Sequence, residues 1–124
     1  MMNMLIIPKM IDKNKNKKMC CMTLLNTKNE IVCYYNYCID TTPSSLESSY
    51  HISLLIGLNI ARKKCMFDII VYLDNINTVR QIKGQQTIEH LFDYNCAIKS
   101  VKLLEQFKLR VIKHDTYDEE EDNN

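Results

Sequence analysis

"VYLDNINTVRQIKG", Val71–Gly84, holds the transition on which the fold depends. An apolar run stops at Asp74, and a short amphipathic segment begins immediately after it. The run extends back to Phe67, and "FDIIVYL" is almost continuously apolar, as a strand covered on both faces should be. Residues 75–83 then predict a short helix ended by Gly84, since glycine readily takes the left-handed conformation that closes helices. Asp74 has two possible duties at such a junction. It caps the helix, or it presents a carboxylate as a metal ligand at the mouth of a sheet.

Working outward, "TTPSSLESSYHISLLIGLNIARKK" changes the period from two to about four. Pro43 and the serines mark a helix start, with Ser44 or Ser45 as the N-cap. Tyr50, Leu54, Leu58 and Ala61 form one apolar stripe, and Ile52, Ile56 and Ile60 form another, so much of the helix circumference is expected to be buried. Gly57 inside it costs about 1 kcal/mol relative to alanine, which argues for close approach to a sheet. Upstream, Leu5–Ile11 is a short apolar run ending in Asp12. Met19–Asn26 and Ile31–Ile39 read as a hairpin joined by "TKNE". Downstream, Leu91, Tyr94, Ile98, Val101 and Leu104 give an amphipathic helix, and Leu109–His114 a closing strand.

The resulting order is β-β-β-α-β-α-α-β. The early strands are joined by hairpin-length links and should pair antiparallel. The later strands, separated by helices, should join in parallel through right-handed crossovers. The expectation is an α/β fold with a mixed five-stranded sheet flanked by helices, formed by residues 1–114, with an acidic tail at 115–124.

Charge is distributed unevenly. Asp115, Asp118, Glu119, Glu120, Glu121 and Asp122 crowd the tail, leaving the body basic although the net charge is only +1. A basic body with an acidic tail suits a polyanion binder, and equally a plain domain with a solvated tail. Lysine outnumbers arginine thirteen to three, a bias expected of an AT-rich genome, so single lysines carry little weight. The 46% hydrophobic content excludes a disordered chain.

The six cysteines form no Cys-x-x-Cys pair, and His51, His90 and His114 complete no zinc pattern. They read as free thiols in a reducing compartment, cytoplasmic or nuclear, and not as the disulfides of a secreted protein. "MMNMLIIPKM" is broken too early by Pro8 to be a signal peptide or a membrane span. "KNKNKK" (Lys13–Lys18) is a weak nuclear-targeting pattern.

Ligands of such sheets gather at the carboxyl ends of central strands. On this reading Asp12 ends the first strand and Asp74 the fourth, and two carboxylates at one edge repel unless a divalent cation lies between them. Oxygen ligands with open positions suit Mg²⁺, and paired ions of this kind support phosphodiester cleavage.

At these residues the chain resembles the ribonuclease H-like superfamily, specifically ribonuclease H domains of reverse-transcriptase type. "YHISLLIGLNIA" followed by "DIIVYLDNINTVRQIKG" is similar to that family's central helix, fourth strand and next helix. "QFKLRVIKH" places His114 at the family's histidine before its final motif. The resemblance implies a fold, Mg²⁺ or Mn²⁺ as cofactor if active, and an RNA–DNA hybrid or other nucleic acid as partner.

Of the family's four acids, the first falls on Asp12 and the third on Asp74. The second falls on Tyr50, and the last near Asn124. "KNKNKK" stands where the family has a glycine-rich turn, and Pro8 sits awkwardly for a central strand. Glu47, one turn before Tyr50, is a substitute ligand or an ordinary first-turn acid favoured by the helix dipole. The tail acids Asp118–Asp122 are a further, weaker substitute.

The expected function is therefore a degenerate ribonuclease H-like domain whose Lys13, Lys15, Lys17 and Lys18 hold phosphates. The alternatives are an active Mg²⁺-dependent hybrid endoribonuclease, and a protein-interaction or structural module, such as part of a retroelement polyprotein.

Overall fold

The computed structural model describes residues 3–7, 11–14, 17–40 and 46–114. Its elements are β1 (Asn3–Ile7), β2 (Ile11–Asn14), β3 (Lys17–Leu25), β4 (Ile31–Asp40), α1 (Leu46–Lys63), β5 (Asp68–Leu73), α2 (Ile76–Ile82), α3 (Leu91–Leu104) and β6 (Leu109–His114). The strands form one sheet in the order β2-β3-β1-β5-β6, with β4 on the far side of β3. β3 is antiparallel to β1, β2 and β4. β1, β5 and β6 run parallel.

The mixed α/β architecture matches expectation, and the described residues of the first strand region fall in two elements, β1 and β2. β1 and β2 each pair with β3, through Leu25–Thr23 and Met19–Lys17 respectively. They are two halves of one strand line, separated by residues 8–10. Pro8, which lies outside the described residues, has no N–H to give a ladder. Asp12 accordingly belongs to the second, peripheral half and does not end the central strand. Ser44, Ser45, Lys15 and the tail acids Asp118–Asp122 also lie outside the described residues.

The core forms between the sheet and α1. Leu5, Ile7, Met22, Leu24, Ile69, Val71 and Leu73 meet the stripe of Tyr50, Leu54, Leu58 and Ala61, all buried. Ile52, Ile56 and Ile60 are partly buried against the same cluster, so both predicted stripes are used. The reason for Gly57 is steric. A Cβ at this position would lie 2.6 Å from Met22 Sδ and 2.8 Å from Leu5 Cδ2, so any side chain here has to push the ends of Met22 and Leu5 aside for the helix to approach the central strands. Gly84, at φ +75°, ends the turn after α2 as its left-handed conformation requires.

α3 departs from expectation. Leu91, Tyr94, Ile98 and Val101 were the predicted core stripe, yet they are 73%, 49%, 38% and 37% exposed. The buried face carries Asp93, Cys96, Ala97, Ser100 and Leu104. Small side chains there permit a close crossing, and Asp93 finds a hydroxyl partner on α1. Of the predicted stripe only Leu104 faces inward.

Candidate functional site

β1, β5 and β6 end together at one edge. The register aligns Ile7 with Leu73 and Leu73 with His114. Asp74 is the first residue beyond this rung and is half-buried. The cap of α2 is its neighbour Asn75, which is extended (φ −159°) and whose side-chain oxygen accepts from Thr78 N at 2.9 Å and Thr78 Oγ1 at 3.0 Å. Capping therefore does not account for Asp74.

The start of α1 is held by three side-chain bonds, two of them to α2 in this region and one to α3. Asn77 Nδ2 donates to Glu47 Oε2 at 2.5 Å. One turn on, His51 Nε2 lies 2.6 Å from Gln81 Oε1; an amide oxygen only accepts, so this nitrogen carries the proton. Glu47 and His51 are four apart on α1, as Asn77 and Gln81 are on α2, so the two bonds form successive rungs between helices. On another side of α1, Ser48 Oγ donates to the buried Asp93 Oδ1 at 2.5 Å. Asp93 also stands in the first turn of α3, where the helix dipole favours negative charge.

Of these polar positions only Glu47 was singled out from the sequence as a site residue, although the i, i+4 spacing of Glu47 with His51 and of Asn77 with Gln81 is the signal that marks the others. His51 is fully buried, and its Nδ1 has no hydrogen-bond partner, like Ser49 Oγ and Ser100 Oγ. Burial, and secondarily the charge of Asp93, push the Cys96 thiol above its usual range, with Lys99 opposing. Cys96 is thus a packing thiol, and Cys33 and Cys65 are also free.

The predicted acid positions that fall on described residues take different places. Asp74 lies at the parallel-strand edge, and Glu47 is joined to Asn77, three residues beyond it. Tyr50 is only 1% exposed and sits in the core. Asp12 is opposite Lys18 on β3, whereas Ile6 is opposite Thr23 on β3 and Tyr72 on β5. At about 3.4 Å per residue, that register carries Asp12 roughly 10 Å farther along the sheet than Asp74, and the expected shared rim is not formed. Asn124 lies outside the described residues. Among the described residues no group of three or more His, Cys, Asp or Glu side chains is placed to hold a metal ion. Lys13, Lys17 and Lys18 belong to the β2–β3 pair, beyond the same edge.

The buried Ser48–Asp93 bond has a measurable weight. Ser48→Ala strands a carboxylate away from water, and hydrogen bonds to charged groups contribute about 1.5–3 kcal/mol. Urea unfolding should show a loss of roughly 2 kcal/mol, most of it recovered when Asp93→Asn is added.

Among curated protein sequences, none matches the chain. Solved structures do. The ribonuclease H1 of Halobacterium salinarum NRC-1 superposes with a TM-score of 0.82 at 15% identity, covering 98% of this chain and 90% of that one. The N-terminal ribonuclease H domain of a Mycobacterium tuberculosis protein gives 0.77 at 14% identity, over 91% and 86%. LC11-RNase H1, solved in complex with an RNA/DNA hybrid, gives 0.78 at 12% identity, over 94% and 87%. At such identities the likeness establishes the fold. Residues 11–116 match the family described as reverse transcriptase-like, and with most of its length inside that match, this chain is a member of the reverse transcriptase-like family, built on the ribonuclease H fold.

Proposed function

We propose that the chain is a nucleic-acid-binding domain related to RNA–DNA hybrid ribonucleases, in which metal-dependent cleavage is impaired or lost. The observation that carries this reading is Tyr50. The resemblance assigns the second metal-binding acid to this position, and an apolar ring sealed in the core stands there instead. Among the described residues, Glu47 accepts from Asn77 through one of its two oxygens, and the strand register sets Asp12 apart from Asp74.

Mg²⁺ requires near-octahedral oxygen coordination, and a two-ion site needs several carboxylates to balance its charge. The described residues do not fit such a centre, so no catalytic step is assigned. Binding asks less of the chain. An arm bearing Lys13, Lys15, Lys17 and Lys18 neutralises phosphates without reading sequence, and A-form geometry with its 2′-hydroxyls supplies selectivity for RNA-containing duplexes. The hybrid bound by LC11-RNase H1 makes this polymer the first to test. A location in a reducing compartment, cytoplasmic or nuclear, belongs to the same proposal.

The test combines binding and cleavage on one RNA–DNA hybrid. Affinity should fall with salt at a log–log slope of roughly −3 to −4 if the four lysines neutralise phosphates, and Lys17→Ala with Lys18→Ala should flatten it. Cleavage with Mg²⁺ or Mn²⁺ should be absent or weak. Robust cleavage abolished by both Asp12→Asn and Asp74→Asn would instead establish an active endoribonuclease. Absence of binding and cleavage together would favour a protein-interaction or structural module. In the foamy virus protease–reverse transcriptase, the matched part is 17% of a larger chain, so the same fold also occurs inside longer chains.

A further inference from the structure

We propose that the end of the molecule opposite the Asp74 edge is a surface for single-stranded nucleic acid, formed by Arg62, Arg110, Phe67 and the lysines beside them. It uses none of the residues to which hybrid binding is assigned. α1 and α3 both finish at this end, and β5 and β6 begin there. The loops after the two helices are tied together, since Lys108 N donates to Phe67 O at 2.7 Å. Arg62, in the last turn of α1, donates through Nε to Gln106 Oε1 at 2.6 Å. Arg110, on β6, donates through Nη1 to Phe107 O at 3.0 Å. Both guanidinium groups are therefore fastened to consecutive residues of one loop. Arg110 is also level with Ile69 of β5, a core residue packed against α1. Residues paired in a ladder share a face, so Arg110 stands on the α1 side of the sheet.

Residue type points to the ligand. Gln106 Oε1 and Phe107 O each need one donor, which a lysine supplies as well as an arginine. Lysine outnumbers arginine thirteen to three, yet both positions carry a fork. One N–H bond to the loop fixes each fork and leaves its other donors to meet a phosphate, whose oxygens a planar guanidinium matches bidentately. Lys63, Lys64 and Lys108 are exposed around the same two loops, against the exposed Glu105 and the half-buried Asp68. The helix dipole explains cations in a last helical turn. Lys108 and Arg110 lie beyond both helices, so the positive charge exceeds what the helix ends require. Phe67 decides between polyanions. Its ring is 52% exposed on the loop that Lys108 joins, and an aromatic ring among phosphate-binding groups is a platform on which an unpaired base stacks. A duplex keeps its bases inside and has no use for the ring, and an acidic peptide has no base to lay on it.

Titration of the full 124-residue chain with an oligothymidine of about eight nucleotides, within the usual single-strand site size, tests the assignment. The three arginines give three side-chain Nε–Hε signals by NMR. Those of Arg62 and Arg110 should shift, and that of Arg80, on α2 beyond the other end of β5, should not. Phe67→Ala should weaken binding at least about fivefold, the lower end for loss of one stacked base, and Phe67→Trp should keep it. Phe67 is exposed, so neither variant should move the thermal midpoint. Arg62→Gln with Arg110→Gln should flatten the log–log salt dependence by roughly 1.4, the contribution of two single-strand phosphates. Unmoved Arg62 and Arg110 signals overturn the proposal. So does binding that Lys17→Ala with Lys18→Ala abolishes and Phe67→Ala leaves intact, which puts the strand on the lysine arm. A glutamate-rich peptide that moves both signals when the oligothymidine does not also overturns it, and assigns the surface to an acidic protein partner.

Discussion

The Tyr50→Glu variant, which restores the acid that the family resemblance assigns to this position, is expected to lose at least about 4 kcal/mol of stability at neutral pH. Tyr50 is among the largest fully buried side chains of the core. Removing its ring opens a cavity, at about 3–5 kcal/mol for a large aromatic. The carboxylate that replaces it either ionises without a counter-charge or takes up a proton, and both cost free energy. Tyr50→Phe, which keeps the ring, should lose no more than about 1.5 kcal/mol, the upper value of one neutral hydrogen bond. Thermal unfolding with and without millimolar Mg²⁺ checks the argument. If Mg²⁺ raises the midpoint of Tyr50→Glu by several degrees and hybrid cleavage appears, the neighbourhood of Asp74 is a latent metal centre that lacks one ligand. The expected result is a destabilised variant that Mg²⁺ leaves unchanged.

The Gly57→Val variant should show the second large effect, a loss of about 3 kcal/mol or a midpoint lower by roughly 10–15 °C. A single Cβ already lands within 2.8 Å of Leu5 and closer still to Met22, and two further methyls have no room between α1 and the central strands. Gly57→Ala is the informative comparison. Its gain in helix propensity, about 1 kcal/mol, opposes a clash that the flexible end of Met22 can relieve, so it should stay within about 1 kcal/mol of wild type. Equal losses for alanine and valine would mean that the helix does not approach the sheet as closely as the structure places it. Guanidinium unfolding of the three proteins distinguishes the cases.

Both variants act on α1, the element most legible in the sequence. Its two stripes and its lone interior glycine each had one physical explanation, and the structure uses all of them. β5 was legible for a similar reason. Its apolar run has β-strand length and stops at an acid followed by a helix; Ile69, Val71 and Leu73 on one face are fully buried, on the other Tyr72 is buried and Ile70 only partly so, and Phe67 before the strand is exposed. The candidate site was only half legible. Asp74 could be placed because strand ends collect ligands, and the absence of an acid at Tyr50 followed from the family resemblance. The capping role belongs to Asn75, one residue further than the junction suggested.

What the sequence by itself determined was therefore local and periodic: the order of elements, the faces of α1 and the turn at Gly84. Register and the choice of helix face were decided only in three dimensions. Asp12 follows an apolar run, but it lies on β2 opposite Lys18, and this pairing with β3 sets its distance from Asp74. α3 carries a stronger apolar stripe than the face it buries. Periodicity favours whichever face is more apolar, whereas packing favours the face that lets two helices come close and satisfies Asp93 through Ser48. That competition between apolar area and close approach is settled by the neighbouring helix, whose position no local pattern in α3 encodes.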